Sequence, residues 1–596
     1  MRFIASHVLV LASCFIAAAI AACVPDFPEK LLADAAVFRH PSVVAALGEV
    51  EQTLSDLFVN TTRDGLSFAI VHASTPGSVY TFSNGTLKMN ETDLPASSSN
   101  IITSDSIFRI MSVSKNIAMT TALVLSCLPR HHSCPGLTLH TPVRLLLSDF
   151  TLPEADWNDG GSEITLGMLA SHTAGIPRES YSTGFNMVLS TGKADSVTIG
   201  AAWASATSED VLEAIAKERL MFAPGQRAAY SNAGISILGS AVAAYYNNIT
   251  DSGLTWSQLA TEQLLQPLGM IHSFFGPVPQ SLESFIGVPG GENWADLIIG
   301  EGYNPAAGMW SSANDLATYL HSIWLSPIPD LITRYQRRRS LKPVATLPDG
   351  KQHVGPGWEI QLLTLNTTAN ASLDSTKTYS IFGKSGDGGG WHSWIDVIPN
   401  LGYGIVVLSQ EAGLEEYVGI SPTAIRDTVH DILAPAFAEA LASTMLQRFA
   451  GTYHMGEDTG LLTDQVSHNV INTTTYAVLE VEDQILYLRS LVVNGSNALE
   501  AVDRLSWTSD TGPRYFSTEQ GVVLEPAEGA AENAEFGEGA QVWRLIFPGL
   551  ETCDWFDFDG YKDIRGWPLS KVVLIERKGR VELRYPPFDV VVSRSS

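Results

Sequence analysis

The sequence predicts an α/β (α+β) catalytic domain followed by a second, smaller all-β domain. Three observations carry this. At 596 residues the chain exceeds what one compact core normally holds. Its composition shifts near residue 440, from mixed helix-like and strand-like runs to short alternating apolar segments. Three short polar motifs, widely spaced, lie in the first part, and no catalytic constellation is found in the second. The expected divisions are a leader over 1–21, a catalytic domain over 22–440 and a β-rich domain over 441–596. Apolar residues make up 45% of the chain and charged residues 17%, enough for an ample core. A formal net charge of -27 argues against nucleic-acid or anionic-membrane partners.

At the N-terminus, Arg2 precedes an apolar run from Val8 to Ile20, and Ala19-Ile20-Ala21 offers an A-x-A cleavage site. The run is short for a membrane span. Ile20-Ala21-Ala22-Cys23 also reads as a lipoprotein box. Against that stand N-x-[ST] triplets at Asn60, Asn84, Asn90, Asn248, Asn366, Asn370, Asn472 and Asn494, where composition alone gives on the order of three. Their density favours a eukaryotic secreted, extracellular glycoprotein with no integral membrane span. Of the 5 cysteines, Cys14 leaves with the leader. Cys127 and Cys134 bracket a short loop and are disulfide candidates; Cys23 and Cys553 either pair or stay free.

Ser112-Val113-Ser114-Lys115 forms an S-x-x-K, followed by the apolar run Asn116 to Leu123, read as a helix. If Ser112 opens that helix, Lys115 lies one turn along on the same face. Alone this is an ordinary serine-capped helix start. A serine hydroxyl needs a base within hydrogen-bond reach, and a buried amine beside a second cation is partly neutral and able to serve. Ser114 is a rival nucleophile, but only Ser112 has a lysine at i+3. Arg178 to Ser208, with Tyr181, Phe185, Met187 and Trp203, reads as an insertion forming a mobile pocket wall that sets substrate choice.

Tyr230-Ser231-Asn232 follows a Pro224-Gly225 turn and precedes a helix-like run. Such a tyrosine is commonly a packing residue; beside two lysines it becomes a phenolate able to act as base and then acid. Lys384-Ser385-Gly386-Asp387 lies between two strand-like stretches, Tyr379 to Phe382 and the alternation after Gly390. Alone it is a glycine-rich hairpin. Lys384 either holds a substrate carboxylate or lowers the Tyr230 pKa. No metal cluster, dinucleotide fingerprint or Walker motif is present, so no cofactor is expected.

S-x-x-K, Y-x-N and K-[ST]-G in this order resemble the active-site elements of serine β-lactamases and penicillin-binding proteins. Further segments resemble the same family: Ile164 to Pro177, Gln266-Pro267-Leu268-Gly269-Met270, Ala307 to Ala317, and Gly355-Pro356-Gly357-Trp358. The chain is thus identified as similar to the class C β-lactamase-like serine hydrolases, from about residue 40 to about residue 430. Its layout resembles large secreted fungal members with a β-rich C-terminal domain. The resemblance implies an antiparallel sheet flanked by helices, with an all-α subdomain. It implies Ser112 as nucleophile, Lys115 and Tyr230 as proton carriers, and the backbone N–H groups of Ser112 and Asp387 as oxyanion donors. Asn232, Lys384, Ser385 and Gly386 would complete the binding site. His172 falls in a structural segment of the family, and His392 is a possible pocket residue. No class A-type glutamate for deacylation is identified.

Ser421 to Leu446 reads as a helix with a break at Pro435. Beyond it, Tyr476 to Val481, Ile485 to Val493, Val542 to Phe547, Lys571 to Arg577 and Val581 to Tyr585 read as an antiparallel sheet or small barrel. Glu525 to Ala540, rich in Ala, Glu and Gly, reads as a solvated loop. The expected function is hydrolysis of a small-molecule ester or amide through an acyl-enzyme. Acyl transfer to an alcohol or amine in secondary-metabolite biosynthesis is the alternative, and acyl binding without turnover a distant third.

Overall fold

A computed structural model describes residues 24–89, 99–126, 136–148, 150–151, 163–181, 189–192, 196–367, 376–455, 474–503, 521–527, 529–546 and 560–595. The leader, all five cysteines, Phe185, Met187, Asn90, Asn370 and Asn472 lie outside them. Compactness divides the chain into two units. One comprises Glu29–Thr364 and Thr378–Thr444; the other comprises Met1–Pro28, Leu365–Lys377 and Met445–Ser596.

The first unit is built on an eight-stranded sheet. Its order is Thr75–Asn84, Gly65–His72, Tyr403–Gln410, Trp391–Ile398, Thr376–Gly388, Trp358–Asn366, Gln352–Gly355 and Ala345–Thr346. The central pairs are antiparallel. Gly65–His72 and Tyr403–Gln410 are buried along their whole lengths, which explains their continuous apolar runs in place of alternation. The strand expected over Tyr379 to Phe382 continues through the motif as Thr376–Gly388, paired so that Gly386 faces Ser393 and Lys384 faces Ile395. A small second sheet joins Ile107–Arg109, Met309–Ser312 and Phe274–Phe275.

Helices form the other half of this unit. Ser114–Val124 is buried at every position, so it has no polar face and passes through the core. It packs on Asn232–Thr250, which also contacts Leu166–Ala170 and Ser208–Ile215. The last of these helices opens on a reciprocal capping box between Thr207 and Asp210.

The helix predicted near the end of this region runs unbroken over Pro422–Phe449, and the expected break at Pro435 is absent. Pro435 itself is exposed. Its neighbours Leu433, Ala434, Ala436 and Phe437 are buried, and their packing offsets a proline cost of about 3 kcal/mol.

In the second unit, strands order as Tyr476–Glu482, Gly451–His454, Val590–Arg594, Arg580–Tyr585, Lys571–Arg577, Ala540–Ile546, Val522–Pro526, Ile485–Val493 and Ser496–Asn497. Tyr476–Glu482 also pairs with Ile485–Val493, which closes eight of these strands into an antiparallel barrel. Closure leaves the barrel without free edges. The stretch expected as a solvated loop carries a helix, Ala530–Glu535. Alanine and glutamate favour helix, and Glu532 ties the segment to Arg544 Nη2 at 2.6 Å and to Lys571 Nζ at 2.8 Å.

Candidate active site

The strand Ile107–Arg109 aims the chain at the site. Arg109 is buried with its guanidinium 4.2 Å from the Trp310 ring centroid, and it donates to the Leu297 carbonyl. Met111 then adopts φ 45°, a left-handed conformation that costs a non-glycine residue energy. Ser112 follows in a one-turn 3₁₀ segment, Met111–Val113, and the α-helix begins at Ser114. Ser112 therefore precedes the α-helix instead of opening it. The spacing still works: Lys115 Nζ donates to Ser112 Oγ at 2.9 Å and to the Ala306 carbonyl at 2.8 Å. The rival Ser114 is buried, and its Oγ accepts from Met309 N at 3.2 Å.

Tyr230 stands immediately before the helix cap, where Ser231 Oγ accepts from Gly234 N at 2.8 Å. Lys115 Nζ lies 4.8 Å from the Tyr230 ring centroid and Lys384 Nζ 5.2 Å, with the Arg178 guanidinium 5.0 Å away. Burial pushes the Tyr230 phenol up, but the charges of Lys115 and Lys384, with hydrogen bonds to Lys115 and Ser112, outweigh it and bring it down to about 8. Burial lowers the Lys115 pKa, and Lys384 adds to the fall. Serine, lysine and tyrosine thus share protons as one coupled group.

His172 stacks on Tyr230, with ring centroids 4.5 Å apart, and its Nδ1 accepts from Ser231 N at 3.2 Å. Burial, then the three neighbouring cations, hold it well below the ordinary histidine value, so it is a neutral support for the tyrosine.

Gly386 brings the third motif against Ser112. A Cβ there would sit 2.2 Å from Ile110 O and 2.8 Å from Ser112 N, so only glycine permits the approach. Ser393, its partner in register, donates to the Ile110 carbonyl at 2.7 Å. The backbone of Asp387 follows directly and borders the same pocket.

The pocket measures ≈ 590 Å³. Ser112, Tyr230, Asn232, Ser385, Gly386 and Asp387 line it, together with Arg178, Glu179, Tyr181, Trp203, Trp294 and Glu359. Lys115 and Lys384 lie beneath this surface, 0% and 2% exposed. Asn232 Nδ2 donates to Glu179 Oε1 at 2.6 Å, and burial raises the Glu179 pKa. Trp203 stacks on Tyr303 at 5.3 Å and donates from Nε1 to Tyr181 Oη at 3.1 Å. Tyr181 and Trp203 of the predicted insertion are therefore pocket residues. His392 reaches the site only through Asp387: its Nδ1 donates to Asp387 Oδ1 at 2.8 Å and its Nε2 to Glu411 Oε1 at 2.7 Å. The hydrogen bond to Asp387, opposed by burial and aided by Glu411, raises its pKa.

Sequence reasoning missed Glu359 and Trp294, and Glu179 falls in the segment read as a pocket wall without having been singled out. Glu359 follows the Gly355-Pro356-Gly357-Trp358 segment and faces the neighbouring strand. Its carboxylate meets Lys384 Nζ and accepts from Ser385 Oγ at 2.9 Å and Ser385 N at 3.2 Å. Burial lowers the Lys384 pKa, but Glu359 and Tyr230 overcome it and keep the lysine charged. Among the described residues, no group of three or more His, Cys, Asp or Glu is placed to hold a metal ion. No helix among them is long and apolar enough to cross a membrane.

A serine bonded to a buried lysine, under a tyrosine flanked by a second lysine, defines the class of serine hydrolase-like proteins built on S-x-x-K. The family comparison agrees. A family model described as Beta-lactamase matches residues 58–430, more than half of the chain, and the chain belongs to that family. A "Beta-lactamase-like protein" of Arthroderma benhamiae is 26% identical over 407 residues, covering 63% of this chain and 62% of the relative. "Beta-lactamase-like protein 2" of Dictyostelium discoideum is 24% identical over 281 residues, 46% of this chain and 44% of the relative. The "D-alanyl-D-alanine-carboxypeptidase/endopeptidase AmpH" of Escherichia coli (strain K12) is 26% identical over 344 residues, 55% of this chain and 76% of the relative. The chain thus spans less than two thirds of the length of the first two. Among solved structures, a beta-lactamase/D-alanine carboxypeptidase from Yersinia pestis aligns with TM-score 0.46 and 18% identity, over 65% of this chain and 99% of that one.

Proposed function

We propose that this protein is a hydrolase that forms an acyl-enzyme on Ser112 and cleaves a small-molecule ester or amide. The observation that carries the reading is the contact of Ser112 Oγ with Lys115 Nζ at 2.9 Å, beneath a tyrosine lowered to about 8. In this reading Ser112 Oγ attacks the carbonyl carbon, and its proton passes to the Lys115–Tyr230 pair. The N–H groups of Ser112 and Asp387 receive the oxyanion. Collapse breaks the bond to the leaving group, which departs with that proton from Tyr230. Water then attacks the ester on Ser112, giving up its proton to the same pair, and the acid leaves as Ser112 regains its hydrogen.

Acyl transfer to an alcohol is the second reading, favoured by the aromatic wall of Tyr181, Trp203 and Trp294, which offers an organic acceptor a surface that water does not need. Product analysis with an added alcohol separates the two: ester product marks transfer, and acid alone marks hydrolysis.

The decisive experiment is intact-mass analysis after exposure to a fluorophosphonate and to a penicillin, with Ser112→Ala alongside. A phosphonyl adduct on the wild type that is absent from Ser112→Ala supports the reading. A lasting penicilloyl mass marks slow deacylation. No adduct from either reagent on folded protein overturns it in favour of a binding module.

We also propose export and glycosylation. Asn60, Asn84, Asn248, Asn366 and Asn494, the sequon asparagines among the described residues, are all exposed. Enzymatic deglycosylation of protein made in a eukaryotic host should increase its gel mobility; unchanged mobility would count against this assignment.

A further inference from the structure

The third motif carries the donors with which a site of this kind would grip a substrate carboxylate: a buried lysine and the hydroxyl beside it. Here those donors are already engaged by a side chain of the protein itself. One Glu359 oxygen meets Lys384 Nζ, and the other accepts from both Ser385 Oγ and Ser385 N. Lys384 Nζ also donates to the Ser385 carbonyl at 2.8 Å and bonds to Tyr230. A carboxylate with bidentate, charge-assisted partners of this kind is held firmly. It also borders the pocket, so its negative charge is presented to whatever binds there.

A substrate carboxylate entering this corner would meet a like charge and find its cation and its hydroxyl occupied. To bind, it would have to expel Glu359 from Lys384, leaving a glutamate unpaired at the pocket wall. The neighbouring groups do not compensate. Asp387 adds a second carboxylate on the same strand end, and the imidazole beside it, His392, is already shared between Asp387 and Glu411. The exposed cation of the pocket wall, Arg178, lies against the Tyr230 ring and 3.7 Å from Glu179, so it too faces a carboxylate.

Resting on the acyl-enzyme reading above, we infer that Glu359 is a built-in occupant of the anion cradle and that the site takes esters or amides without a free carboxylate beside the scissile bond. Glu359 is then a specificity-determining residue: it rejects carboxylate-terminated peptides and related acids, and it leaves neutral leaving groups admitted. Penicillins carry a carboxylate close to the scissile amide, so they should acylate Ser112 more slowly than a neutral fluorophosphonate does.

The test uses two thioesters with one acyl group, N-benzoyl-D-alanyl thioglycolate and its carboxamide, which differ only in the charge of the leaving group. Thiol release is followed on the wild type and on Glu359→Gln, which keeps the side chain's shape and an acceptor for Ser385. The wild type should favour the carboxamide in kcat/KM by about tenfold or more, a discrimination of the size expected for like charges brought together. In Glu359→Gln the preference should fall to about twofold or reverse. General damage to the fold lowers both rates together and leaves their ratio unmoved, so the ratio isolates the charge. A wild-type preference for the carboxylate, or a ratio unaltered by Glu359→Gln, overturns the inference. If neither thioester turns over, the same ratio is read from their protection of Ser112 against the fluorophosphonate. Phosphonylation without a difference in protection overturns this inference alone; no phosphonylation of folded protein overturns the acyl-enzyme reading and this one with it.

Discussion

Removing Lys384 should move the pH dependence of the nucleophile towards alkali. Tyr230 is lowered from 10.0 to about 8, and after burial the causes are the charges of Lys115 and Lys384. An acid whose pKa is depressed is in its basic form above that pKa, so reactivity of Ser112 should rise as pH climbs through about 8. Lys384 Nζ lies 5.2 Å from the Tyr230 ring centroid; at an effective dielectric of about 20 that attraction is worth about 3 kcal/mol, or about 2 pKa units. Glu359, bonded to the same ammonium, opposes it, so the net effect is about one unit. Lys384→Met should therefore carry the rising limb from about 8 to about 9. The assay is the second-order rate of phosphonylation by a neutral fluorophosphonate across the neutral and alkaline range, which avoids a titrating leaving group. Glu359→Gln supplies the opposite sign, because losing an anion beside Lys384 stabilises the phenolate and should move the limb towards acid. A limb that stays in place in Lys384→Met, or moves towards acid, refutes the claim that Lys384 tunes Tyr230.

Two further substitutions probe the supports of the site. Gly386→Ala adds a Cβ 2.2 Å from Ile110 O, so the strand must withdraw from Ser112, and phosphonylation should slow by about a hundredfold or more at an intact thermal transition. Asp396→Ala removes the partner of buried Arg426, whose Nε it binds, and of His430 Nε2 at 2.9 Å. The guanidinium keeps Asp427 at 2.9 Å and Gln361 on its Nη1 but loses its buried counter-charge, which should cost about 3 kcal/mol in urea unfolding; a loss below about 1 kcal/mol would show the network to be dispensable.

What could be read from the chain depended on how local each feature is. Ser112 and Lys115 are three residues apart, so one turn of backbone brings them together, and the motif is visible as a string. The hairpin strands Tyr476–Glu482 and Ile485–Val493 are likewise short-range, and their alternation marked them. Barrel closure was less visible, because it depends on Gly451–His454 meeting Val590–Arg594, two short segments far apart in the chain. The proline at 435 and the alanine–glutamate stretch at 525–540 were misread for a related reason. Burial beside Pro435 overrode local propensity there, and at 525–540 the ion pairs of Glu532 hold a helix that alanine and glutamate favour.

Glu359 is the sharpest instance of this limit. Nothing in Trp358-Glu359-Ile360 separates it from a solvated residue on an alternating strand, since Trp358 and Ile360 are buried and Glu359 points the other way. Its meaning comes from adjacency in the sheet to Thr376–Gly388, which sets its carboxylate against Lys384 and Ser385. On the proposed acyl-enzyme reading the three motifs report the reaction, because a proton path needs a fixed set of groups at fixed short range. Selectivity, on the same reading, falls to residues that meet those groups from other strands and loops, such as Glu359, Glu179 and Trp294, which line the pocket and which string-level matching does not weigh. It follows that members of this family sharing all three motifs need not share substrates, and that the charge at position 359 is where to look for the difference in this one.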